Sequence, residues 1–194
     1  MNDVKNFILD TAKERFERFG FKKTVMDEIC QDGKISKRTV YEYFKDKEDL
    51  FTSLFIRETL RAREVIFSRL GEVPDAMEKL VRLTRIAIDY FNEDSFVTKV
   101  LRDDGNMYMP FLSREYHSMV EKGIVGIIAG IVRDGINQGI FRKIDERIAG
   151  YMLFKLFQSF SYAKTSTLST SRKKQAHEIE TLTDFVRKAL IKEK

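Results

Sequence analysis

Between Lys34 and Lys47 the chain reads KISKRTVYEYFKDK, which sets Lys34, Lys37, Arg38, Lys45 and Lys47 against only Glu42 and Asp46. Interleaved with the cations are the hydroxyls of Ser36 and Thr39 and the rings of Tyr41, Tyr43 and Phe44. This combination suits one chemistry, the binding of a structured polyanion. Lys and Arg donate to guanine O6 and N7 in a major groove. Hydroxyls and the free N–H groups of a helix start suit phosphate oxygens. The net charge of the 194-residue chain is only +5. A basic patch in a nearly balanced chain points to a local anionic partner rather than a general polyanion binder. The bland alternative is a solvated charged turn.

Other chemistries find little support. Glu93-Asp94 and Asp103-Asp104 are adjacent carboxylates, and neighbours on a helix point apart. No nucleophile–base set, phosphate-cradling glycine loop or H-E-x-x-H spacing is recognisable, so the chain does not read as an enzyme. His117 has no second ligand at i+4, which argues against a metal site, and no cofactor is expected. The single cysteine, Cys30, excludes an internal disulfide and reads as a core residue. Asp3, Lys5, Asp10 and Lys13 interrupt any signal-peptide core. The longest apolar run, Gly123 to Val132, is half the ~20 residues of a membrane span. The expectation is a soluble cytoplasmic protein.

The elements that must position the patch are helical by period. Ile8, Ala12, Phe16 and Phe19 form one stripe, stopped by Gly20. Thr24 with Asp27 reads as a capping box opening a short helix with Val25, Met26 and Ile29 inward. Ser36 is a good N-cap for the next helix, with Val40 and Phe44 on one face. Asp46 caps a longer helix carrying Leu50, Phe51, Leu54 and Phe55 and continuing towards Leu70. Gly71 and Pro74 punctuate. Further stripes are Met77, Leu80, Thr84, Ala87 and Phe91; Ile124, Ile127, Ile128 and Ile131; and Ile179, Leu182, Val186 and Ala189. Gly126 and Gly130 share a face of the second of these, either for a close helix approach, as a cavity wall or simply as weak points. Ile148 to Phe160 is apolar nearly all round, which favours burial against a partner subunit or wholly within the monomer. No alternating strand pattern and no internal repeat is found. The pattern predicts an all-α protein of about nine helices. Two short helices and a tight turn make a helix-turn-helix, pinned by Ile29, Ile35, Val40 and Phe44. Lys37, Arg38, Thr39, Tyr41 and Tyr43 are left outward, with one of the tyrosines able to pack back on the first helix.

The stretch ILDTAKERFERFGFKKTVMDEICQDGKISKRTVYEYFKDKEDLF resembles the DNA-binding domain of the TetR/AcrR family of transcriptional regulators. The resemblance rests on the first-helix stripe, Phe19-Gly20-Phe21, Thr24, Ile29, ISKRTVYEYF and Lys47-Glu48-Asp49-Leu50, and covers about a quarter of the chain. One departure is Gly33-Lys34, where the family often has Ala-Gly. Here Lys34 either takes a positive φ, at about 1 kcal/mol, or the turn adjusts and Lys34 gains a phosphate.

The resemblance implies a helix-turn-helix domain at 1–46 and a ligand-binding and dimerisation domain at 47–194. It implies base reading by Lys37, Arg38 and Tyr41, and phosphate contacts from Thr24, Ser36, Thr39, Tyr43 and Lys47, with Thr24 and Ser36 also serving as caps. It implies a homodimer formed through the last two helices on a near-palindromic double-stranded operator. It also implies a pocket for a small hydrophobic or aromatic effector, for which the sequence offers Phe55, Tyr90, Phe91, Met107, Tyr108, Met109, Phe111, Tyr116, Met119 and Phe154. The rival is a DNA-binding regulator without a small-molecule effector, controlled by a protein partner.

Overall fold

In a computed structural model of the chain, residues 2–92, 95–102, 122–162 and 172–192 are described. Among them are nine helices: α1 (Asn2–Lys23), α2 (Met26–Asp32), α3 (Lys37–Tyr43), α4 (Lys47–Leu70), α5 (Ala76–Asn92), α6 (Phe96–Arg102), α7 (Lys122–Asn137), α8 (Glu146–Tyr162) and α9 (Arg172–Leu190). The protein is all-α, as its periodicity predicts. The only β pairing among the described residues is an isolated bridge between Phe141 and Ile191. Arg142 N–H donates to Leu190 O at 2.9 Å and Lys192 N–H to Ile140 O at 3.1 Å, which ties the end of α9 to the loop after α7.

The helix boundaries follow local chemistry. Gly20, at φ 75°, breaks α1 near its end. The Asp46 carboxylate accepts from Asp49 N–H and opens α4, while Gly71, at φ 62°, closes it. Asp75 caps α5 by accepting from Glu78 N–H at 2.7 Å. The start of α2 differs from expectation. Its N-cap is Val25, whose N–H donates to the Glu28 carboxylate at 3.1 Å, while Thr24 stands one residue outside. Because an N-cap residue is extended, Val25 leaves the helical stripe and is 52% exposed; Met26 and Ile29 do face inward. Phe19 also departs from its predicted stripe. It is exposed beneath the Arg15 and Arg18 guanidiniums, and Phe21 takes the inward place beyond the Gly20 kink.

Two cores result. The first joins α1, α2, α3, the first half of α4 and α6 around Ile8, Phe16, Ile29, Val40, Phe44, Leu54 and Phe55. Its rings interlock, with Phe51 edge-on to both Phe16 and Phe21 at 5.1 Å between centroids. The second joins the far half of α4 to α5, α7, α8 and α9 around Ile66, Leu80, Ile128, Val132, Leu153 and Leu182. Helix α4 begins at Lys47, and its first turns belong to the first core.

Helices α7 and α8 approach closely at Gly150, where a Cβ would stand 2.9 Å from Ala129 N and Val125 O. By contrast, among the described residues nothing lies within 4 Å of the Cβ positions of Gly126 and Gly130. Helix α8 is not wholly buried in the monomer. Ala149, Leu153 and Phe154 face inward, while Ile148, Tyr151 and Met152 are exposed, as is Phe185 of α9. In α9 the exposed Ala189 is replaced in the core by Leu190.

Candidate nucleic-acid interface

Helix α3 is presented by its neighbours from one side only. Ser36 Oγ accepts from Thr39 N–H at 3.0 Å and pairs with Thr39 Oγ1 at 2.8 Å, so the predicted cap forms. Val40 and Phe44 are fully buried and Ile35 packs against the same core. Lys37, Arg38 and Tyr41 are consequently exposed, Tyr41 by 50%. Tyr43 is the tyrosine that packs back, half-buried against the first core.

The turn before α3 adopts the strained option. Lys34 has φ 50°, whereas Gly33 is right-handed at φ −81°. A Cβ on Gly33 would lie 2.9 Å from Ile35 Cδ1 and 3.3 Å from Thr11 Oγ1. The glycine therefore serves a close approach, and the left-handed residue is the lysine, at about 1 kcal/mol. Ile35 N–H donating to Cys30 O at 2.9 Å closes the turn.

The electrostatics of the surface are internally matched. Lys37 Nζ donates to Asp27 Oδ2 at 2.6 Å, and this hydrogen bond and charge hold the ammonium above its ordinary pKa. Arg38 Nε donates to Glu42 Oε1 at 3.2 Å. Behind them, Arg15 reaches from α1 to Asp32 at 2.8 Å and Glu28 at 2.7 Å, fixing α2, and the Asp32 hydrogen bond raises its guanidinium further.

Two of the expected phosphate ligands point inward. Thr24 is fully buried, and its hydroxyl donates to Gly20 O at 2.8 Å. Lys47 Nζ donates to Phe21 O and Thr24 O and lies 4.3 Å from the Phe21 ring centroid. Carbonyls left over at the end of α1 attract this ammonium as a phosphate would. Ser36, Thr39 and Tyr43 remain at least partly accessible beside Lys37 and Arg38.

The expected pocket residues do not come together where they are described. Phe55 is buried in the first core and Phe154 in the second, with Tyr90 at the second core's edge. Met107, Tyr108, Met109, Phe111, Tyr116 and Met119 lie outside the described residues, as does the side chain of Phe91. An open groove of ≈ 610 Å³ between α5 and α9 is lined by Val81, Arg85, Asp89, Ile179, Glu180 and Arg187, among others. Its charged walls differ from the apolar lining expected of the pocket.

Sequence reasoning missed an ion cluster between α1 and α4. Buried Glu58 of α4 meets Lys13 at 2.8 Å and Arg57 and Arg61 at 3.0 Å each, and Arg57 continues to Asp10 at 2.6 Å. Only the Arg61 pair follows a helical spacing; the Lys13 and Asp10 contacts cross between helices and leave no local signal. Among the described residues, no group of three His, Cys, Asp or Glu side chains is placed to hold a metal, and no helix is long and apolar enough to cross a membrane.

Residues 8–54 match the bacterial regulatory proteins of the tetR family. The fatty acid metabolism regulator protein of Bacillus subtilis (strain 168) is 27% identical over 151 residues, 76% of each chain. A TetR-family transcription regulator from Shewanella sp. PV-4 superposes with a TM-score of 0.74 at 19% identity, over 98% of this chain and 99% of that one. A transcriptional regulator from Saccharomonospora viridis, solved in complex with choline, superposes at 0.71 and 20% identity over 100% of both. At such identities the superpositions establish the fold, while the family match is confined to the helix-turn-helix segment. Residues 8–54 are thus a helix-turn-helix of the tetR family, and the chain as a whole has the fold of the TetR-family regulators on which it superposes.

Proposed function

We propose that the protein is a ligand-responsive repressor that binds a near-palindromic operator as a homodimer and releases it when a small hydrophobic effector binds. The observation that carries this reading is that α4 is a wall of both cores. An effector that prefers one tilt of α4 would move α3 with it. Two half-sites must match major grooves ~34–36 Å apart, so such a movement opposes DNA binding.

Base reading falls to Lys37, Arg38 and Tyr41, supported by their exposure on α3. Ser36, Thr39 and Tyr43 flank them as phosphate contacts. Dimerisation through α8 and α9 is supported by the exposed Ile148, Tyr151, Met152 and Phe185, an apolar surface that a second copy would cover. The B. subtilis relative's role in fatty acid metabolism supports an effector with an acyl chain. The choline in the S. viridis structure offers a cationic alternative.

The test is a thermal-shift panel of fatty acids, acyl thioesters and quaternary amines, followed by titration against the tightest duplex that the protein selects from a random pool. A stabilising compound should weaken that duplex about 5- to 150-fold. A compound that binds yet leaves DNA affinity unchanged defeats the switch. A panel with no binder favours control by a protein partner.

A further inference from the structure

The two cations that α3 turns outward already have partners. Lys37 Nζ lies 2.6 Å from Asp27 Oδ2 on α2, and Arg38 Nε 3.2 Å from Glu42 Oε1 one turn along α3. All four side chains are more than half exposed, so solvent and solutes can exchange with either pair. We propose that Asp27 and Glu42 are specificity-determining residues of the DNA-binding surface, which occupy Lys37 and Arg38 as internal substitutes for phosphate and so suppress binding to duplexes of arbitrary sequence. The proposal rests on the reading of α3 as the helix that enters the groove.

A duplex of arbitrary sequence can offer Lys37 and Arg38 little beyond phosphate oxygens. Trading a carboxylate for a phosphate gains each cation almost nothing. The displaced carboxylates then stand close to the DNA backbone as like charges, which penalises the complex. A matching sequence offers more. The Arg38 guanidinium, which meets Glu42 through Nε, can fork onto guanine O6 and N7. A carboxylate released beside a cytosine can accept from its N4 amino group. The same two side chains therefore oppose every site and are compensated only at some.

The weakness of the pairs fits this role. Exposed ion pairs contribute little stability, so a correct site can open them. Arg38 also precedes Glu42 along the helix, the less favourable order with respect to the helix dipole. Asp27 lies ten residues before Lys37 on a separate helix, and only the folded turn brings the two together.

The experiment uses the full chain with Asp27→Asn, Glu42→Gln and the double variant. Affinity is measured over a range of salt on a random-sequence duplex and on the duplex selected by the unmodified protein. Each neutralisation releases one more cation for phosphate, so the salt slope on random duplex should steepen by about 0.9 per substitution. The ratio of selected to random affinity should fall about five-fold in the double variant. An unchanged slope on random duplex, or an unchanged ratio, overturns the proposal. Thermal unfolding checks the fold, and if either amide variant is unstable, Asp27→Ser and Glu42→Ala give the same neutralisation. Lys37→Ala with Arg38→Ala separates the two levels of the argument. If that variant binds the selected duplex as the unmodified protein does, the reading of α3 fails. If it loses binding while the carboxylate variants behave as the unmodified protein, only the present proposal fails.

Discussion

The ammonium of Lys47 stands 2.8 Å from the carbonyl oxygen of Thr24 and 2.9 Å from that of Phe21, so the first turn of α4 is stapled to the corner between α1 and α2. Lys47→Met keeps an aliphatic stem over the Phe21 ring but removes both donors. Charge-assisted hydrogen bonds of this kind contribute about 1.5–3 kcal/mol. Calorimetry should show a melting temperature lower by about 5 °C. The salt dependence of DNA binding should stay as it was; a slope shallower by about one would place Lys47 on a DNA phosphate instead.

The buried carboxylate of Glu58 is shared by Lys13, Arg57 and Arg61. Glu58→Gln keeps the shape and strands three cations around a neutral amide. Stability should fall by about 3 kcal/mol, as when one partner of a buried pair is removed. Urea titration measures it, and a loss under half a kilocalorie would mean that the cations re-pair with Asp10 or with water.

Two glycines on facing helices should respond oppositely to alanine. Gly150→Ala drives a methyl group against the backbone of α7 and should destabilise by about 1–3 kcal/mol. Gly126→Ala meets open space in a helix interior and should stabilise by up to about 1 kcal/mol. Equal effects in denaturant titrations would contradict the close approach at Gly150.

If α8 and α9 form the dimer, charge at their exposed apolar face should split it. Met152 and Phe185 are each 62% exposed in the monomer. Met152→Asp with Phe185→Asp should sediment as a monomer and bind the selected duplex at least about ten-fold more weakly, since avidity is lost. An intact dimer would locate the interface elsewhere.

Burial pushes the Cys30 thiol above its ordinary pKa, with the charge of Asp27 adding to the effect. The folded state thus holds its proton to higher pH than the unfolded state. The associated stability is complete below the unfolded pKa and is lost as pH rises through the folded value. Alkylation by iodoacetamide should be slow at neutral pH and accelerate only above the range of a free thiol. Rapid labelling at neutral pH would contradict this.

Most of the fold is legible because it depends on periodicity and punctuation. Ser36, Asp46 and Gly71 mark helix ends that form where the residues say, Gly20 kinks α1 three residues before its end at Lys23, and the paired apolar faces of α3 and α4 follow from spacing alone. Misread positions lie where the backbone leaves helical geometry: Val25 is the extended N-cap of α2, and Phe19 stands just before the Gly20 kink in α1. The outward side of α3 is legible for the same reason as its inward side. The orientation of Lys47, the Lys37–Asp27 pair and the Glu58 cluster are not, because each depends on a helix-to-helix distance that no local spacing encodes.

With 24 residues, α4 is a rod of about 36 Å. Pivoting it by about 4° near Leu70 sweeps the Lys47 end through about 2.5 Å, nearly the length of a hydrogen bond. If α3 reads base edges as proposed, a displacement of that size exceeds what their hydrogen bonds tolerate. Through the staple at Phe21 and Thr24, that sweep reaches the corner that carries α2 and α3.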